Sequence, residues 1–272
     1  MSQWKLVPLS KIDANRWDSC VRSRNGEVFA EFWYWNAVCK SWQAWVKGDY
    51  EDVIALPIER KWGIVPFMRT PLYVKWLEGD ATQLELLVQS FFGFKRVHIP
   101  FEMSSSQQRQ IQLLHLDSSW IPSKELAKNL RKAESEHAEL SDAVGWDEYH
   151  AFMLKNHPYA WPAKQQHVMK SLYDAANTRD AGKIAGVRMN GQWAAMQFYI
   201  RTESKAYLIQ NAVSMEFRNR EPMPFLLNSL FMKWQADADS TTVNFMGSNN
   251  AGVARFNEKF GAVAQHYWEY PH

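Results

Sequence analysis

Residues 242–262 read TVNFMGSNNAGVARFNEKFGA. Val243 and Phe245 alternate with polar neighbours, which is the period of a half-buried strand. Gly247-Ser248-Asn249-Asn250 follows, a turn whose residues cap helices or tolerate unusual dihedrals. Val253, Phe256 and Phe260 then recur at i, i+3 and i+7, the apolar stripe of a short helix. Gly261 ends that helix as a left-handed residue would, and a final strand is expected over residues 262–270. Arg255 and Lys259 stand four apart on one helix face. They repel each other unless an anion, or a carboxylate such as Glu258, lies between them.

Outward from this stretch, the second half of the chain prepares the same corner. A helix is expected over residues 124–137, with Leu126, Leu130 and Ala133 as its buried face and Lys124, Lys128 and Lys132 along another. Two more helices follow over 146–156 and 163–179. Strands over 183–189 and 193–201 flank Asn190-Gly191, the strongest short hairpin signal. A strand over 206–213 and a helix over 225–235 lead into the opening motif, with Pro224 at the helix's first position, where proline is favoured.

The first half carries a similar order. Helices are expected over 10–24, with Ile12, Trp17 and Val21 buried, and over 29–40, which is rich in aromatic residues. Strands over 41–47 and 53–60 flank a Gly48-Asp49 hairpin, and residues 62–76 add strand material broken by Pro66 and Pro71. A helix over 84–92 and a strand over 96–101 complete it. Residues 103–123, polar at both ends, read as the connection between domains. The order helix, helix, three strands, helix, strand thus occurs twice, which predicts domains over residues 1–118 and 119–272.

A chain of 272 residues accommodates two such domains, and its 46% hydrophobic and 14% aromatic content suffices for packed cores. With 14 Trp, several side chains must be partly exposed. A net charge of +2 is too mild for bulk nucleic-acid binding. Cys20 and Cys39 are too few for a disulfide framework or a zinc site. The eight His show no paired spacing, so no metal site is expected. Neither a signal-peptide pattern nor a run of eighteen apolar residues occurs, so a cytoplasmic protein without a membrane span is expected.

The segment GS-x(5)-ARFNEKFGA resembles the closing motif of the FemAB-like branch of the GNAT acyltransferase superfamily. KNLRKAE, residues 128–134, is similar to the segment that opens the second domain in that group. The resemblance covers residues 124–133 and 206–270 best and is weak in the first domain. It implies an α/β fold of two tandem GNAT-like domains, each a mixed, partly splayed sheet flanked by helices. It implies transfer of an acyl or aminoacyl group from an activated donor to a primary amine. The co-substrate would be acyl-CoA or aminoacyl-tRNA, with no tightly bound cofactor. The acceptor would be a small-molecule or peptide amine, and tRNA a further partner.

The acyl-CoA cradle of such domains is a Gly-rich turn before the third helix, whose N–H groups hold phosphate. Here that place reads Phe217-Arg218-Asn219-Arg220-Glu221-Pro222-Met223-Pro224, without glycine and with two prolines that remove donors. Arg218 and Arg220, with Asn219, either hold phosphate through side chains or form a solvated loop. The resemblance places Asn257 where the group has a Lys that helps seat the donor, with Lys259 nearby. Gln210 and Asn211 lie on the strand that corresponds to the splayed one and are candidates for aligning the acyl carbonyl. Tyr207 and Tyr199 are candidate proton relays. Ser248 and Asn249 are helix-capping residues and candidate donor contacts. Lys128, Arg131 and Lys132 either meet an anionic substrate or form a solvated face. A degenerate pair of domains that binds a nucleotide- or peptide-type ligand without turnover is the alternative.

Overall fold

The computed structural model describes residues 2–61, 64–157, 160–237 and 240–270. Two compact units result. One contains the residues up to Gln110 together with those from His266 onward, and the other is Ile111–Gln265.

In the first unit the elements are β1 (Trp4–Val7), α1 (Ala14–Ser23), α2 (Phe32–Val38), β2 (Trp42–Lys47), β3 (Asp52–Lys61), β4 (Val65–Arg69), α3 (Ala81–Ser90) and β5 (Phe94–Ile99). The strands lie in the order β1-β2-β3-β4-β5, antiparallel except for the parallel β4–β5 pair. Aromatic rings fill the space beneath: Trp17 meets Trp42 edge-on at 5.5 Å, and Trp35 lies 5.7 Å from Trp42. Trp17 is fully buried because its indole N–H finds the Ala30 carbonyl at 2.9 Å.

The second unit adds most of β6 (Gln107–Asp117), then α4 (Lys124–Ser135), β7 (Glu139–Ser141), α5 (Trp146–Asn156), α6 (Ala163–Asn177), β8 (Gly182–Met189), β9 (Gln192–Arg201), β10 (Lys205–Val213), α7 (Pro222–Asp237), β11 (Ser240–Gly247) and α8 (Ala251–Glu258), and β12 (Val263–Tyr270) returns to the first unit at His266. Its strands lie in the order β6-β11-β10-β9-β8-β7, with β10–β11 parallel and the other pairs antiparallel. Leu126, Leu130 and Ala133 of α4 pack with Leu226, Leu230, Phe231 and Trp234 of α7 in one core cluster that includes Phe245 and Phe260. Toward α5 and α6, Phe198 meets Tyr149 and Tyr173 edge-on at 6.4 and 5.8 Å. Gly182 is needed where β8 passes α6, since a Cβ there would come within 2.5 Å of the Ala176 methyl.

Helix starts follow the chemistry of their caps. Asp13, Asp80, Ser123 and Asn250 each accept from an amide of the following turn, an interaction of about 1 kcal/mol apiece. These caps correct several boundaries: α1 begins at Ala14 rather than residue 10, and α3 at Ala81 rather than 84. The largest correction concerns residues 103–123, read as a connection. Their centre is the 11-residue strand β6, paired with β11. The first unit's boundary falls within β6, at Gln110, rather than after residue 118, and the chain from His266 on joins that unit through antiparallel pairing of Trp268–Tyr270 with β5. The short strands β1 and β7 had no sequence signal. Of residues 62–76, Val65–Arg69 is strand, Leu72–Trp76 holds turns and irregular chain, and 62–63 lie outside the described residues. The α8 face also differs: Ala254 and Asn257 are buried, whereas Val253 is 43% exposed.

Candidate functional site

Strands β10 and β11 pair at Lys205–Thr242, Ala206–Val243 and Tyr207–Asn244, and among the described residues the parallel ladder goes no further. Both strands bend where it stops. The register of β10 against β9 shifts between Leu208 and Gln210, and that of β11 against β6 shifts between Asn244 and Gly247. Met246 takes a left-handed φ of 61°, and the Asn244 side chain accepts from its amide at 2.8 Å. Such irregularities bend a strand away from its neighbour. Residues after Tyr207 therefore keep their bonds to β9 but have no ladder on the β11 side. Among the described residues the two strands thus share no ladder beyond Tyr207 and Asn244, which leaves a gap between them.

Gln210 and Asn211 stand on β10 at this gap. The Gln210 carbonyl accepts from the Tyr149 hydroxyl at 3.2 Å and from Gln197 Nε2 at 3.3 Å. Asn211, exposed, donates to Gln197 Oε1 at 3.2 Å. Gln197 is fully buried and also donates to the Phe198 carbonyl at 2.7 Å. It thus holds the bulged backbone of β10 in place, a role the sequence did not announce. Tyr207 is 1% exposed.

On the other side of the gap, the turn after β11 rests on a buried polar network. Asn257 Nδ2 donates to Gln112 Oε1 at 2.8 Å and to Ser248 Oγ at 3.1 Å. Gln112 Nε2 in turn donates to the Ala254 carbonyl at 3.2 Å. All three side chains are buried, so each bond replaces water lost on folding. Of the three residues assigned to donor contact here, Ser248 and Asn257 lie in this network beneath the turn, and Asn249 is exposed on it. Gln112 escaped sequence reading because it sits in the stretch taken as a connection.

After β10 the chain makes a 3-10 turn over Arg218–Arg220, passes through Glu221 in the left-handed region at φ 60°, and enters α7 at Pro222. Two prolines in that first turn leave fewer amides for an anion. Arg220 donates to Glu136, at the end of α4, at 2.8 Å and lies over the Phe217 ring, 5.4 Å from its centre. Arg218 and Asn219 are exposed, as are Lys128, Arg131 and Lys132 of α4. Lys259 is turned toward α4, pairing with Glu125 at 2.8 Å while its carbonyl accepts from Ser123 Oγ at 2.9 Å.

Residues 123–256 match the model of the acetyltransferase (GNAT) domain. That range runs from the α4 cap into α8, so it takes in the parted strands and the 218–220 turn but stops one residue before Asn257. In fold the chain is similar to FemX, with a TM-score of 0.69 at 10% identity over 99% of this chain and 97% of that one. It is similar to a tandem GNAT protein of the clavulanic acid biosynthesis pathway, at 0.61 and 11% identity over 99% and 97%. It is also similar to L-PGS from Bacillus licheniformis, at 0.61 and 12% over 95% and 92%. No curated protein sequence matches it. The fold is therefore that of tandem GNAT-like proteins, and residues 123–256 are similar to the GNAT domain. The FemAB-like resemblance of the closing motif agrees with both findings.

Proposed function

We propose that this protein is an N-acyltransferase of FemAB/GNAT type. It moves an acyl or aminoacyl group from an activated donor to a primary amine. The parting of β10 from β11 after Tyr207 carries this reading. In this reading an extended acyl donor lies in the gap along β10, which brings its carbonyl beside Gln210 and Asn211. The amine nitrogen attacks that carbonyl carbon, the C–N bond forms, and the bond to the donor's sulfur or oxygen breaks. The nitrogen's proton passes to water, while Tyr207, as a general acid, gives its proton to the leaving sulfur or oxygen and recovers one from water. Holding both substrates together supplies most of the acceleration.

In this reading the donor is acyl-CoA or aminoacyl-tRNA, met by Arg218, Asn219, Arg220 and Asn249, while Ser248 and Asn257 hold the turn from beneath. Lys128, Arg131, Lys132 and Lys259 face the acceptor or the tRNA phosphates. The order of two helices, three strands, a helix and a strand recurs from α1 to β5 and from α5 to β11, and the reading takes the two units as copies of one architecture. Among the described residues no helix is long and apolar enough to cross a membrane; a cytoplasmic setting is part of the same proposal. Incubation with a panel of acyl-CoAs and charged tRNAs, each with amine acceptors, tests the proposal. Transfer from one donor class supports it, and no transfer from any contradicts it.

One observation favours the second reading, a protein that binds its ligand without turnover. The 218–224 turn has two prolines where amides are wanted, and Arg220 is already paired with Glu136. Thermal shifts with CoA and with nucleotide-sugar precursors, in the absence of any transfer, would select that reading.

A further inference from the structure

A cavity of about 610 Å³ lies in the second unit. It is bounded by the start of β8, the end of β9 and the ends of α6 and α7. Because β9 and β10 are antiparallel, with Ala206 opposite Arg201, the end of β9 meets the start of β10. The strands part toward the other end of β10. Its volume falls in the range of small-molecule sites.

Its lining combines three features. First, the charges balance: Asp142, Asp180 and Asp237 face Lys183, Arg201 and Lys233. Second, each cation is paired and keeps donors to spare. Lys233 bonds Asp142 at 2.5 Å, Arg201 bonds Asp237 at 2.8 Å, and Lys183 lies 3.3 Å from Asp180. An ammonium has three donors, a guanidinium five, and a carboxylate about four acceptor positions. Third, Tyr199 lines the cavity at 5% exposure, and its hydroxyl has no hydrogen-bond partner among the described residues. Its ring is fixed edge-on against Trp234 at 5.1 Å. Burial, followed by Asp142, pushes the phenol up to about 12, so it stays a donor at neutral pH.

We propose that this cavity is a second binding site, separate from the transfer gap, that takes a small zwitterion of the amino-acid class with an apolar side chain. A lone anion would be opposed by three aspartates, and a lone cation by three basic groups. A molecule carrying both charges adds a partner to each set without breaking the pairs. Its carboxylate takes the spare donors of Lys233 and Arg201 and the Tyr199 hydroxyl. Its ammonium takes the spare acceptors of Asp142 or Asp237, and its apolar part lies along Trp234.

Calorimetry on the full chain tests this with L-phenylalanine, phenylacetate and phenethylamine, which share a ring and differ in charge. The expected result is saturable binding of L-phenylalanine in the millimolar range or tighter, with each singly charged analogue at least tenfold weaker. Tyr199→Phe should weaken L-phenylalanine binding several-fold. That variant keeps the ring, and an unchanged melting temperature would show the core intact. No binding of L-phenylalanine, equal binding of phenylacetate, or full binding by an intact Tyr199→Phe protein would overturn the proposal. None of these outcomes depends on whether the gap transfers an acyl group.

Discussion

Asn257 Nδ2 donates to Gln112 Oε1 at 2.8 Å, joining α8 to a strand 145 residues earlier in the chain. The same amide donates to Ser248, so one side chain fixes both the helix and the turn that borders the gap. Removing it should act through the turn's position as well as through stability. Asn257→Ala takes a donor from the buried Gln112 Oε1 and from Ser248 Oγ and should cost about 1–3 kcal/mol in chemical denaturation. Asn257→Lys, which installs the residue type the FemAB resemblance implies, buries an unpaired ammonium at a 3%-exposed position. It should cost more than the alanine change. A stable Asn257→Lys protein would show that the network does not hold the turn.

The arginine pair near α7 should separate binding from stability. Arg218 is exposed, so Arg218→Ala should leave the melting temperature unchanged and weaken a phosphate-bearing donor by about tenfold. Arg220→Ala breaks a half-exposed pair with Glu136 and should cost no more than about 1 kcal/mol. Glu136→Gln releases the Arg220 guanidinium and should tighten donor binding if the turn holds phosphate. A solvated loop predicts no change in affinity for any of the three.

Gly182→Ala should destabilise the second unit by about 1–3 kcal/mol, since its new methyl would lie 2.5 Å from that of Ala176. Adding Ala176→Gly should recover much of the loss. Additive losses in the double variant would place the strain elsewhere.

His98 gives the first unit an acid-sensitive element. Burial, with Lys75, Arg109 and Arg96 also opposing the charged ring, pushes it down to about 4 despite the nearby Glu269. Its Nδ1 is buried without a partner among the described residues. In the unfolded chain the ring titrates near 6.5. Between those values the unfolded chain binds the extra proton. The stabilisation is complete above pH 6.5 and is lost as pH falls toward 4, by up to about 1.4 kcal/mol per pH unit. Urea melts of the native protein and His98→Gln across this range should show the variant's dependence flattened. Parallel curves would remove His98 as the cause.

The element order was legible because periodicity and turn chemistry are local. Asn190, at φ 52°, and Gly191, at 75°, form the hairpin the dipeptide announces. Strand β6 shows apolar alternation only over residues 111–116, between polar flanks that read as a connection, and its partner β11 lies far along the chain. The gap itself was expected only through family resemblance. What produces it is a pair of strand irregularities and a left-handed Met246, neither of which has a composition signature. For the same reason the stripe Val253–Phe256–Phe260 describes the α8 face only in part: Phe256 and Phe260 pack against the core, but Val253 is exposed and the helix buries Asn257 against a distant Gln112.

Amide hydrogen exchange with and without a non-hydrolysable acyl-CoA or aminoacyl-tRNA analogue tests the central claim most directly. Binding in the gap should slow exchange at residues 208–213 of β10 and 246–249 beyond β11, while β8 is unaffected. Protection confined to other strands, in a protein that demonstrably transfers acyl groups, would contradict the placement of chemistry between β10 and β11.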